Sequence, residues 1–299
     1  MKSVKRLIVF LAIIFIISGS IFLAFAIKNN AFAQKDTVEK TYEIDGEFQN
    51  ISAILEIEDL EFKLATDGKN KFVCNEKEKI YHEILVKDNC LSLKGIDERK
   101  WYEKIFIFDW NFNSKKSTLY LNKSTLNNLV LNLSIGSFKV DNEFTFENAD
   151  LVLSTGDLKF NANITDNLNV KLSTGSTSIN DLDCKNIEIK SSTGSIELKN
   201  VNCNSLKASA STGEIKLHNV ITNDLIEINA STGDVLLDEV DSKTIYIKVS
   251  TGSIRGIILS PKRFEAKTST GNVNVPSSTT GGLCTLITST GSINVSLKK

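Results

Sequence analysis

The chain has 299 residues, 35 basic and 36 acidic side chains for a formal net charge of -1, two prolines and five cysteines. That balance leaves no global field to draw in nucleic acid or anionic lipid. An odd number of cysteines with no CxxC pair argues against both a disulfide framework and a zinc site, and no cofactor is expected.

Residues 7–27 form an uncharged apolar stretch, preceded by Lys2, Lys5 and Arg6. At about 1.5 Å per residue a helix there spans about 30 Å, the thickness of a bilayer core. The positive charges before it predict a cytoplasmic tail over residues 1–6, a signal-anchor over 7–27 and everything beyond residue 30 outside the cell membrane. The alternative is secretion after cleavage near Ala33, since Ala31-Phe32-Ala33 resembles a small-residue cleavage site, although the apolar stretch exceeds a usual signal core. Residues 28–40 have no apolar periodicity and read as a linker.

From residue 41 the pattern changes to short alternating runs. Ile51, Ala53 and Leu55, then Leu60, Phe62 and Leu64, predict strands; further strands fit 72–74, 83–86 and 91–93. This stretch reads as irregular first coils of a repeat that becomes regular later. One excursion interrupts it: Trp101, Tyr102, Phe106, Phe108, Trp110 and Phe112 crowd into twelve residues that hold both tryptophans of the chain. Such a run either covers the open end of a hydrophobic core or forms an exposed platform for a sugar, a partner protein or a membrane surface.

The regular part is organised by Ser-Thr-Gly. The phrase ends at Gly156, Gly175, Gly194, Gly213, Gly233, Gly252, Gly271 and Gly291, after a degenerate Ser134-Ile135-Gly136. Every step is 19 or 20 residues, the period of a solenoid. Counted from each glycine, the positions seven, five and three before it are mostly apolar (Leu129, Leu131 and Leu133 in the first copy). So are those two and four after (Ile215 and Leu217 in the middle). Period two on either side means two short strands per coil with one face buried. Continued through the phrase, the alternation puts Thr inward and Ser outward, with glycine at a bend other residues resist. No histidine or lysine recurs at a fixed offset to activate the serines, so no catalytic residues are assigned.

The column six before glycine is mostly acidic or neutral (Asp150, Asn169, Glu188, Glu227), and the one four before is rich in lysine (Lys171, Lys190, Lys248, Lys267). Side by side they predict a solvated, self-neutralising surface. Cys184 and Cys203 fall nine after their glycines, where a ladder of small side chains is expected. Glu214 and Asp234 stack with too few oxygens for calcium, and His82 and His218 read as ordinary surface or edge residues. The last strand, 293–297, reads as the open edge of the stack, with Lys298 and Lys299 to discourage pairing.

These tandem coils behind an apolar N-terminal segment resemble the bacterial "putative adhesin" family, also called toastrack, a domain of unknown function. The resemblance covers residues 41–299, is clearest over 129–297, and implies a single extracytoplasmic β-solenoid at the cell envelope. The function expected is non-enzymatic: adhesion, interaction or envelope-stress sensing, with an envelope protein or cell-surface glycan as partner. The alternatives are a β-helical polysaccharide-acting enzyme and a self-assembling surface element.

Overall fold

Alternation of apolar and polar side chains makes strands, and a period of 19 or 20 residues stacks each strand on its counterpart one coil away. The computed structural model describes residues 10–20, 24, 37–100 and 116–298. Residues 10–20 are helical, and among the described residues no helix is long and apolar enough to cross a membrane. The rest is an all-β solenoid whose described strands form one hydrogen-bonded sheet wound on itself.

Each coil pairs in parallel, in register, with the next. Ile196 lies against Ile215, Leu198 against Leu217 and Val201 against Val220. The inward side chains merge into a single buried cluster running from Ile44 to Val295. Along Ile196–Thr212 the buried positions include Ile196, Leu198, Val201, Cys203, Leu206, Ala208 and Ala210, so the inward set extends beyond the two strands predicted for each coil.

Three corners close the coil. The first is the glycine, with φ between +126° at Gly136 and +147° at Gly252. Stacking adds a second constraint: a Cβ on Gly213 would sit 2.1 Å from the carbonyl oxygen of Gly194. Here the predicted parity fails. The Thr column is exposed, not inward, and so is the Ser before it. Three before and two after glycine are five residues apart, an odd number, so two inward positions require the alternation to break once. It breaks at Thr-Gly, leaving both hydroxyls outside.

The second corner, six after glycine, holds Asp181, Asn200, Asn219 and Glu239 at φ from +50° to +57°. Their side chains chain together, Asn200 donating to Asp181 at 2.7 Å and Asn219 to Asn200 at 3.0 Å. The third, eight before glycine, carries an asparagine ladder through Asn50, Asn128, Asn148, Asn167 and Asn186. Near it, Cys184 and Cys203 are free thiols continued by Thr222 and Ser242, whose hydroxyls bond at 2.6 Å. That is the ladder of small side chains expected.

Both ends depart from simple stacking. The strand Gly282–Thr290 pairs with Thr244–Thr251 on one side and with Lys262–Thr270 on the other. The Gly291 coil is therefore inserted beneath the Gly271 coil. The last strand, Ile293–Leu297, is not the open edge; it lies between Ile254–Ile258 and Val273–Asn274. The reason is burial. Cys284, Leu286, Ile293 and Val295 are fully apolar inward residues and are covered on both sides, whereas Phe264, Ala266 and Val275 of the outer coil are half-buried and Val273 is exposed. Pro261 and Pro276 flank that outer coil, where a missing N–H costs least.

At the other end, β1 (Val38–Glu43), β2 (Asn50–Ile57), β3 (Asp59–Leu64), β4 (Lys71–Glu76), β5 (Ile80–Lys87), β6 (Cys90–Asp97) and β7 (Lys116–Leu121) precede β8 (Thr125–Ile135) and β9 (Phe138–Val140). Strands β2 and β3 form the first coil, stacked on β8 and β9. Beyond it the walls separate. One continues through β6 to antiparallel β5; the other runs through β7 and antiparallel β4 to β1. The strands predicted before residue 128 are all present.

Candidate functional site

Two features depart from the repeat. The first is a groove on the outer face of the wall that precedes glycine, with a volume of about 580 Å³. The serines two before glycine line it (Ser173, Ser192, Ser211, Ser231 and Ser250), and Lys171, Lys190 and Lys248 stand at its side. It crosses six coils, about 24 Å at about 4.8 Å per step. Its floor is the column three before glycine, which shrinks from Leu172 to Ser191, Ala210 and Ala230. The column is small where the serine row runs past it, which leaves room for the groove in the outer face.

The acidic column six before glycine contributes nothing to the groove lining. Lys190 is paired with Glu188 at 2.5 Å, as the neutralised surface expected from the sequence requires. Lys171 and Lys248 have no ion-pair partner among the described residues. The groove therefore presents a row of hydroxyls beside ammonium groups, and among the described residues no carboxyl, imidazole or thiol lines it.

The second feature lies between the two separated walls of the N-terminal end. Register places Glu58 in the slot that glycine holds in every later coil: Ile57 pairs with Ile135, and a Cβ on Gly136 would meet the Glu58 carbonyl oxygen at 2.0 Å. Glu58 can carry a side chain because, among the described residues, no further corner stacks beyond it. That space is filled by His82 from β5 and Ser117 from β7. His82 Nε2 lies 2.8 Å from Glu58 Oε2, and the Ser117 hydroxyl donates to Glu58 Oε1. On the other side of the ring, His82 Nδ1 is 3.0 Å from Glu76 Oε1. The same oxygen accepts from the His82 backbone N–H at 2.8 Å, from the Tyr42 hydroxyl at 2.8 Å and from the Cys74 thiol at 3.9 Å. Lys40 pairs with Glu76 Oε2 at 2.8 Å, and Phe72 meets the imidazole edge-on.

His82 is thus not a surface residue; its side chain and those of Glu58 and Glu76 are each under 5% exposed. Burial pushes the His82 imidazole down, but its contacts with Cys74 and Glu58 outweigh this and raise it to about 10. Burial likewise pushes the Glu76 carboxyl up, and hydrogen bonds from Lys40, Tyr42 and His82 overcome it and hold the group at about 2. Burial keeps the Cys74 thiol above its ordinary value. The only sequence signal for this cluster is the absence of glycine from the first coil's corner, which becomes visible once that coil is in register.

His218 is exposed and pairs with Asp238 at 2.6 Å, an ordinary surface contact. Glu214 pairs with Lys216, and Asp234 accepts the Ser253 N–H, so the two acids are engaged separately. The aromatic residues Trp101, Tyr102, Phe106, Phe108, Trp110 and Phe112 lie outside the described residues.

The model of one family, Toastrack DUF4097, matches residues 48–296. The chain belongs to the Toastrack family. The match takes in the first coil, the capping strands that hold His82, the groove and the inserted last coil. Among solved structures, the Toastrack chain is similar to a "putative adhesin" from Parabacteroides distasonis, 14% identical over 88% of this chain and 98% of that one, with a TM-score of 0.53. It is also similar to one from Bacteroides fragilis, 20% identical over 89% of this chain and 98% of that one, with a TM-score of 0.49. No curated protein matches the chain.

Proposed function

We propose that the chain is a non-enzymatic interaction scaffold of the cell envelope that binds an extended acidic polysaccharide along its groove. The observation that carries this is the groove itself: a straight row of serine hydroxyls about 4.8 Å apart, flanked by Lys171 and Lys248. A regular row of donors and acceptors suits a polymer with a regular repeat of hydroxyls, and the two ammonium groups favour one that carries carboxylates or phosphates. The lining offers no acid–base pair and no activated nucleophile, which favours binding over turnover. The similar Parabacteroides distasonis structure, described as a "putative adhesin", supports the same surface role. In this reading residues 7–27 anchor the solenoid with its coils outside the membrane, and the aromatic segment from Trp101 to Phe112 supplies a second contact.

The test is retention of the full-length chain on immobilised acidic polysaccharides, such as polygalacturonate, and on neutral glucans. The acidic polymers should retain it and salt should release it. The Lys171→Ala/Lys248→Ala double variant should lose at least about tenfold in affinity, about 1.4 kcal/mol, with Tm unchanged. Trp101→Ala/Trp110→Ala measures the second contact. Equal retention on neutral glucans, or full retention by the lysine variant, would refute the groove assignment.

A further inference from the structure

The structure assigns a transition-metal site of the zinc class to Cys74, Glu76 and His82, with Glu58 as the carboxylate that orients the imidazole. Cys74 and Glu76 are two apart on β4 and so face the same way, into the space between the walls. His82 enters from β5 on the opposite wall. Their ligand atoms lie within 4.8 Å of one another, and all three residues are buried.

The individual distances fit one ion. Tetrahedral zinc with metal–ligand bonds of about 2.0–2.3 Å holds its ligand atoms about 3.4–3.6 Å apart. Cys74 Sγ is 3.9 Å and His82 Nδ1 3.0 Å from Glu76 Oε1, each within about half an ångström of that spacing, and the three ligand atoms all lie within 4.8 Å of one another. The second layer is already in place. A metal-bound histidine usually gives its other N–H to a carboxylate, which fixes the tautomer and aims the ring. His82 Nε2 does this to Glu58, and Ser117 in turn holds Glu58. The Tyr42 hydroxyl donates to Glu76 Oε1 at 2.8 Å and helps hold that carboxyl.

The chemistry also selects the metal. One thiol, one imidazole and one carboxylate suit zinc or cobalt(II) and not calcium or magnesium, which take oxygen alone. On binding, the protons on Cys74 Sγ and His82 Nδ1 leave to solvent, and the dication takes their place at Glu76 Oε1. The proton on Nε2 stays between His82 and Glu58. No redox change is involved. The spacing Cys-x-Glu-x5-His has no CxxC, which is why counting cysteine pairs does not find it. A metal here would tie β4 of one wall to β5 of the other and, through Glu58, to the first coil. It would act as a staple where, among the described residues, no further coil stacks.

The experiment is cobalt(II) binding by the full-length chain, added both to the native protein and during refolding, because the ligands are buried. The expected result is one equivalent per chain with a thiolate-to-cobalt charge-transfer band. The band should be lost in Cys74→Ser and kept when Cys90, Cys184, Cys203 and Cys284 are all changed to Ala. Glu58→Gln should weaken binding by about 10–100-fold. No uptake during refolding, a band that survives in Cys74→Ser, or a band lost in the four-cysteine variant would each overturn the assignment. Because the four-cysteine variant retains the proposed ligands, the test does not depend on Cys74→Ser folding.

Discussion

Two inward threonines test the packing argument against each other. Thr177 and Thr288 are both 1% exposed and both stand in columns otherwise mostly apolar. The Thr288 hydroxyl donates to the Gly252 carbonyl at 2.8 Å. The Thr177 hydroxyl has no partner among the described residues, and its column neighbours are Leu158 and Ile196. Valine has the same shape, so the substitution leaves no cavity and changes only the hydroxyl. Burying an unpaired hydroxyl costs about 1–3 kcal/mol, and a net hydrogen bond contributes about 0.5–1.5 kcal/mol. Thr177→Val should therefore stabilise the solenoid by about 1–2 kcal/mol, and Thr288→Val should destabilise it by about 1 kcal/mol. At about 2–4 °C per kcal/mol for a domain of this size, the first raises Tm and the second lowers it. Urea unfolding followed by far-ultraviolet circular dichroism gives both signs, with the slope as a check that the unfolded state is unchanged. If Thr177→Val is neutral or destabilising, its hydroxyl is satisfied, for instance by a buried water. Thr177 would then not be an unpaired buried hydroxyl.

Leu217, 1% exposed between Leu198 and Leu237, should cost about 2–5 kcal/mol on truncation to Ala. A loss under about 1 kcal/mol in the same denaturation assay would sink the column assignment. Gly213→Ala should lose well over the 1–2 kcal/mol that left-handed backbone alone costs, because the new methyl meets a carbonyl at 2.1 Å. Gly68→Ala is the control: its φ is +73° but nothing lies within 4 Å, so only the backbone cost should remain.

The repeat could be read from residues alone because three constraints coincide at one period. Apolar parity, the glycine bend and the outward polar columns each recur every 19 or 20 residues, and a coil one step away sees the same partners. The Thr parity could not be read so simply, since nothing local says where alternation must break; that depends on both walls facing one core. The insertion of the Gly291 coil beneath the Gly271 coil was hidden for a related reason. Both copies carry the motif, and the order is decided by which inward set loses more by exposure. Leu286 and Ile293 lose more than Ala266 and Val273. The groove follows from the small residues Ser191, Ala210 and Ala230, which can be seen in the sequence. The groove they leave room for shows only once the coils are stacked.

The polar cluster sits where it does for a related steric reason. In every coil after the first, the glycine corner is filled by the carbonyl of the coil beneath, so no side chain can stand there. Only a terminal corner is free of that carbonyl, and Glu58 occupies it. Yet a free corner on an apolar column is also an open end, which must be covered by strands from both walls. Those strands bring their own inward positions to the same space: Cys74 and Glu76 from β4, His82 from β5, Ser117 from β7. A carboxyl placed there is buried by its own cover and needs donors from it. The chemistry thus concentrates at the first coil because the repeat forbids a side chain at the glycine corner of every later coil.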